Sequence, residues 1–235
     1  MAKLGRPNHM KRLAAPKAIP ITDRKEKTWL LKASPGPHCK ESAVPLLVLM
    51  RDMLKVAETA REIKKAITGR LVSVDGKIRT DVAFPVGLMD YVSFADKRYR
   101  IMVDSKARLM PVEISDGETK KKIMKVIGKN TIKKGKIMIM LHNGRTMLAD
   151  NNVNVGDSLI ISVPGFKIEK VLKLEKGTNC LIVEGKHAGM VAKLEEIIER
   201  KGSMDAEAKL SSPEGEFITV AKYLFVVDDS IKGAA

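Results

Sequence analysis

The chain has 235 residues, 43 Lys/Arg against 28 Asp/Glu for a formal charge of +15, 44% hydrophobic residues and 4% aromatic ones. That is enough apolar material for one to three small domains with true cores. No apolar run approaches the roughly 18 residues of a membrane-spanning helix. The N-terminus lacks the apolar stretch of a signal peptide, and two distant cysteines, Cys39 and Cys180, do not make a disulfide framework, so a cytoplasmic protein is expected.

The charge is concentrated. Residues 1–41 carry a net +7 and residues 120–136, with eight lysines and no acid, a net +8. Segment 42–119 contributes +2 and segment 137–235 contributes −2. Charge gathered into two stretches favours a polyanionic partner, because each neutralised phosphate releases condensed counterions.

Residues 1–41 read as a basic tail with no core of its own. Pro7, Pro16, Pro20, Pro35 and Pro37 prevent long helices. Lys11-Arg12 and Arg24-Lys25-Glu26-Lys27 supply charge, with Trp29 just beyond. Such a segment is expected to stay mobile until a partner orders it, although Pro35-Gly36-Pro37-His38 has the composition of a defined turn. Ser42 is then placed to cap a helix with Pro45 in its first turn. Leu46, Leu47, Met50, Met53 and Leu54 form its apolar stripe, and Arg51-Asp52 a surface pair.

Thr59 and Glu62 have the spacing of a capping box. The helix they open turns Ala60, Ile63 and Ile67 inward and Arg61, Lys64 and Lys65 to another side, and Gly69 ends it with a left-handed cap. Leu71 to Val74, a turn at Asp75-Gly76, and a strand with Lys77 and Arg79 predict a hairpin. A helix with a basic side leading into a basic hairpin points to an RNA-binding surface. The competing reading is an ordinary solvated face.

From Asp96 to Leu174 the chain reads as short strands forming a small barrel: Tyr99–Val103, Arg108–Val112, Lys136–Leu141, Arg145–Leu148 around a second hairpin signal at Asn143-Gly144, and Ser158–Val163. The lysines of 120–136 are expected on one edge of this barrel, facing phosphate. Further on, Cys180–Lys193 resembles a KOW motif, two strands joined by a loop in which Gly185 and Gly189 permit close approach and Lys186 and His187 project. Lys201–Gly215 reads as a polar loop, and Phe217–Val220 and Tyr223–Val227 as the last strands.

Catalysis is not expected. The sequence has no P-loop, no GxGxxG after a strand and no HExxH. Its four histidines are scattered, and His38 beside Cys39 lacks the second ligand pair of a zinc site. No cofactor, metal, membrane or small-molecule substrate is expected.

Residues 42–94 resemble the αL RNA-binding module. More specifically, His9-Met10-Lys11-Arg12-Leu13-Ala14-Ala15-Pro16, Arg24-Lys25, Trp29, Pro35-Gly36-Pro37-His38, Pro45-Leu46, Arg51-Asp52, Asp75-Gly76-Lys77-Ile78-Arg79-Thr80-Asp81 and Met89-Asp90 fall in the order of small-subunit ribosomal protein four, e-type, a family of archaea and eukaryotes. Ala18-Ile19-Pro20 departs from it, since the family usually has a Trp there. The length resembles archaeal members.

The resemblance implies an α+β, mostly β chain: a basic tail (1–41), an αL module (42–94), a central β-barrel (95–173) and a C-terminal SH3-like KOW barrel (174–235). It implies a structural constituent of the small ribosomal subunit that binds small-subunit rRNA beside neighbouring ribosomal proteins and supports translation. The alternative is a free RNA-binding translation regulator or RNA chaperone. Expected RNA contacts are Lys11, Arg12, Arg24, Lys25 and Lys27 in the tail, and Arg61, Lys64, Lys65, Arg70, Lys77 and Arg79 in the module. Lys120, Lys121, Lys122, Lys133 and Lys134 on the barrel edge and Lys186 and His187 in the last loop complete the set. Few aromatics argue against broad base stacking.

Overall fold

The computed structural model describes residues 8–115, 121–213 and 215–228, with the Lys134 side chain left aside. The chain is mostly β with few helices, and it divides into two compact units: Met1–Met102 with Arg108–Thr119, and Val103–Ala107 with Lys120–Ala235. None of the described helices is long and apolar enough to cross a membrane.

In the first unit, β1 (His9–Lys11) pairs antiparallel with β2 (Trp29–Leu31). This segment is not a coreless tail. Ala15, Ala18, Ile19, Ile21 and Leu30 are buried, and the Ala18 carbonyl accepts from the Leu109 amide at 2.9 Å. Pro35 and Pro37 lie in a bend. At Ala18-Ile19, where the resemblance fails, the smaller residues are buried too.

β3 (Val44–Pro45) follows, so Pro45 is extended at ψ 138° and precedes the helix instead of lying in its first turn. Ser42 therefore caps nothing here and closes a 3-10 turn, Lys40–Ser42. The helix α1 (Leu46–Val48) passes into a π-helical turn, Leu49–Met53, burying Leu46, Leu47, Leu49 and Met50. The second helix, α2 (Ala60–Thr68), starts where the cap predicts: Thr59 Oγ1 accepts from the Glu62 amide at 3.3 Å. Ile63 and Ile67 are buried, while Ala60 is exposed in the first turn.

The hairpin β4 (Val72–Val74) and β5 (Lys77–Ile78) turns through Asp75 and Gly76 at φ 50° and 68°, as a type I′ turn requires. Next, β6 (Pro85–Val86) pairs with β3. The sheet is completed by β7 (Tyr91–Phe94), β8 (Lys97–Val103) and β9 (Leu109–Glu113), in the order β5-β4-β7-β8-β9. It thus continues past residue 94, and the strands expected to begin a barrel extend the first sheet.

One buried contact fixes the Pro35–His38 turn. His38 Nε2 lies 3.0–3.1 Å from the two Asp90 carboxylate oxygens, and the Gly87 amide donates to Asp90 Oδ2 at 2.9 Å. A Cβ on Gly87 would stand 2.4 Å from the His38 ring, so only glycine leaves room for the imidazole.

The second unit contains two five-stranded sheets. The first comprises β10 (Lys121–Thr131), β11 (Ile137–Leu141), β12 (Thr146–Ala149), β13 (Ser158–Ser162) and β14 (Ile168–Leu172), ordered β12-β11-β10-β13-β14. β10 pairs with β13 through Lys121–Lys125 and with β11 through Val126–Thr131, with a bulge between Val126 and Gly128. The bulge bends the strand and curls the sheet around Met124, Val126, Ile139, Leu141, Val153, Leu159 and Ile161. The lysine-rich stretch is therefore largely a central strand rather than an edge.

The other sheet holds β15 (Asn179–Ile182), β16 (Val191–Ile198), β17 (Glu207–Ser212), β18 (Gly215–Val220) and β19 (Leu224–Val226), ordered β18-β17-β16-β15-β19 around Cys180, Ile182, Leu194, Leu210 and Leu224. β17 runs through what the sequence presents as a polar loop. Its buried residues are Ala208 and Leu210, while the outward Lys209 bridges Glu195 at 3.4 Å and Glu216 at 2.6 Å. The Lys125 ammonium joins the two sheets, donating to the carbonyls of Lys222 and Leu224 at 2.7 and 2.6 Å.

Candidate nucleic-acid interface

α2 presents Arg61, Lys64 and Lys65 to solvent while Ile63 and Ile67 are buried. The helix ends in a six-residue cap. The Leu71 amide donates to the Ala66 carbonyl at 3.3 Å, and the Arg70 amide to the Ile67 carbonyl at 3.1 Å. This is the Schellman pattern, but its left-handed position is Arg70 at φ 64°; Gly69 has φ −70°. The cap residue is thus one place further on than the sequence suggests. Lys64, Lys65 and Arg70 gather near the helix C-terminus, where exposed carbonyls favour cations. A multiply charged anion could occupy this face without meeting a buried acid.

On the hairpin, Lys77 is exposed, and the Arg79 guanidinium lies 4.3 Å from the centre of the Phe84 ring, half-buried. In the N-terminal segment Lys11 and Lys25 are exposed, and Lys27 is exposed with Glu26 at 3.7 Å. Arg24 donates to the Leu13 carbonyl at 3.2 Å. Arg12 is buried at 8% exposure, with Glu26 at 3.7 Å, and so braces the segment from within instead of standing on its surface.

The lysine stretch divides in three. Lys120 and the Lys134 side chain lie outside the described residues. Lys121 and Lys133 are exposed, with Glu169 3.3 Å from Lys121. Lys122 is fully buried at 0%, in the part of β10 that pairs with β13, where it faces Ile161 in register and is followed by the buried Ile123 and Met124. It leaves the set of surface cations. Lys125, half-buried, has its ammonium pushed down to about 8 by burial.

In the loop between β15 and β16, Gly185 and Gly189 have φ 99° and 81°. A Cβ at Gly189 would lie 2.8 Å from the Asp104 carbonyl carbon, so this glycine lets backbone approach backbone. Lys186 is exposed. His187 does not project: its ring stacks on Phe217 at 4.2 Å and 19°.

Among the described residues no group of three or more His, Cys, Asp or Glu could hold a metal ion. Cys180 is buried, and burial pushes its thiol up, the opposite of what a reactive cysteine needs. Trp29, which carries no charge and so stands outside the predicted set of cations, is 56% exposed and opposite Lys11 in register.

Three family models match successive parts of the chain: the RS4NT (NUC023) domain over residues 5–41, the S4 domain over 44–92 and the ribosomal family S4e over 95–168. The chain is similar to small ribosomal subunit protein eS4 of Methanosphaera stadtmanae, 40% identical over 229 residues covering 97% of this chain and 95% of that one. It is similar to that of Korarchaeum cryptofilum, 40% identical and covering 97% and 96%. The crystal structure of the 30S ribosomal protein S4e from Thermoplasma acidophilum aligns with a TM-score of 0.72 at 29% identity, over 83% of this chain and 99% of that one. With such identity sustained over nearly the full length of both partners, the chain belongs to the S4e family of small ribosomal subunit proteins.

Proposed function

We propose that this protein is a structural, non-catalytic constituent of the small ribosomal subunit, working in the cytoplasm, and that it binds small-subunit rRNA beside other ribosomal proteins. The observation that carries the reading is the cluster of exposed cations on α2 and its cap: Arg61, Lys64, Lys65 and Arg70. Lys77 on the following hairpin, with Lys11, Lys25 and Lys27 in the N-terminal segment, Lys121 and Lys133 near β10, and Lys186, extends the set. The folded modules read RNA shape and backbone, as proteins on structured RNA mostly do. Within this reading the helix and hairpin act as an αL module, and the last sheet as an SH3-like KOW barrel whose loop meets RNA at Lys186. Holding converging RNA segments together is its contribution to translation.

Sedimentation of a native lysate through sucrose, at low and then high salt, tests this. Recovery with the small subunit at both salts is expected. Recovery at the top of the gradient at both salts overturns it in favour of a free RNA-binding regulator.

A further inference from the structure

The two-stranded ribbon of β1 and β2 has one face turned inward and one left open. The Arg12 amide donates to the Thr28 carbonyl at 2.9 Å and the Lys32 amide to the Asn8 carbonyl at 3.0 Å. The alternation of an antiparallel ladder then makes Lys11 and Trp29, opposite each other in register, a close non-hydrogen-bonded pair. Leu30 is buried at 2% on the inner face, while His9, Lys11 and Trp29 are exposed on the outer one. His9 and Trp29 are diagonal neighbours there, and their rings meet edge to face at 4.7 Å and 83°.

An exposed tryptophan held by a second ring has little rotational freedom left to lose on binding, and more than half of its surface is open to solvent. Lys11 faces it on the opposite strand, and Lys25 and Lys27, both exposed, precede it in sequence. A π-face beside cations is complementary to a nucleotide, which offers a flat base and a phosphate about one residue apart. An apolar protein partner would have no use for that charge.

We propose that the outer face of this ribbon is a stacking platform for one unpaired RNA base, with Trp29 as the platform, His9 as its brace and Lys11 on the flanking phosphate. The inference rests on the RNA-binding reading above and adds to it a site selective for unpaired nucleotides. It differs from α2, where charge alone would serve paired and unpaired RNA alike.

Trp29 is the only tryptophan of the chain, so its emission reports on this spot. The full chain is titrated with a ten-nucleotide oligoadenylate and with a ten-base-pair blunt RNA duplex, following both Trp emission and anisotropy of a label on the RNA. Oligoadenylate should quench Trp29 and the duplex should not. Trp29→Ala should weaken oligoadenylate binding roughly 5- to 100-fold, the range expected for removing one base stack, and leave duplex binding within about twofold, while Trp29→Phe recovers most of the loss. Because the side chain is exposed, the alanine variant should keep the wild-type circular dichroism spectrum. Equal oligoadenylate affinity in wild type and Trp29→Ala, or equal quenching by both RNAs, overturns the platform while the RNA-binding reading stands. A wild-type chain that binds neither RNA overturns both.

Discussion

Gly87→Ala tests how the N-terminal segment is held. Gly87 has no left-handed φ to protect, so its backbone accepts alanine and only the space refuses it. The added methyl would fall 2.4 Å from two atoms of the His38 ring, well inside van der Waals distance. That ring is not a flexible tip: it is buried at 6% and lies against Asp90, itself buried at 2%. Overpacking alone costs about 1–3 kcal/mol. If His38 is expelled, Asp90 loses a buried hydrogen-bond partner, at a cost of about 1–3 kcal/mol. A destabilisation of about 1–3 kcal/mol is therefore expected for Gly87→Ala, and a similar one for His38→Ala. The two should not add, because removing the imidazole makes room for the methyl; the double variant should lie near the larger of the two costs rather than near their sum. Urea unfolding followed by Trp29 emission reads the unit concerned, and with an m-value of about 1–3 kcal/mol/M the midpoint should fall by roughly 1 M. Additive costs in the double variant, or a Gly87→Ala midpoint equal to wild type, would refute the clamp.

Replacing Arg61, Lys64 and Lys65 together by Ala should leave the fold intact, since all three are exposed, and flatten the salt dependence of RNA binding by about 0.7–0.9 for each phosphate no longer neutralised. An unchanged slope in a filter-binding series would mean that the face is only solvated. Arg70→Gly should raise stability by up to about 1 kcal/mol by relieving the left-handed backbone at φ 64°, and lower RNA affinity; a lower melting temperature would contradict the cap geometry. For Lys125, burial lowers the folded pKa to about 8, below its ordinary 10.5. Between those values the unfolded chain keeps a proton that the native chain has released. Stability should therefore rise with pH across this window, by up to about 3 kcal/mol, and show no pH dependence from this group below it. The pH profile of Lys125→Met should lack the rise, and superimposable profiles would sink the assignment.

Local chemistry made part of this fold legible. Asp75-Gly76 needs two left-handed residues and has them, and Thr59 caps α2. What stayed hidden depends on neighbours that the local sequence does not name. β17 looks polar because two of its residues, Ala208 and Leu210, are enough to reach the core while Lys209 is held between acids from adjacent strands. β10 looks like a charge block because lysines crowd around Ile123, Met124 and Val126, yet the strand beside β13 is covered and Lys122 is buried with them. The N-terminal segment looks unstructured because it has few apolar residues, yet Ile19, Ile21 and Leu30 suffice when other residues complete their core. At the candidate site, a count of cations finds α2 and the hairpin but includes Arg12 and Lys122, which are inside, and passes over Trp29, which is outside.

The contact made by Lys125 also bears on synthesis. Its two carbonyl partners lie 97 and 99 residues downstream, in the turn before β19 and in β19 itself. Translated from the N-terminus, β10 to β14 emerge long before either carbonyl exists. β19 docks beside β15 and brings one of the two carbonyls with it, so this contact closes with the final stretch of the chain to emerge.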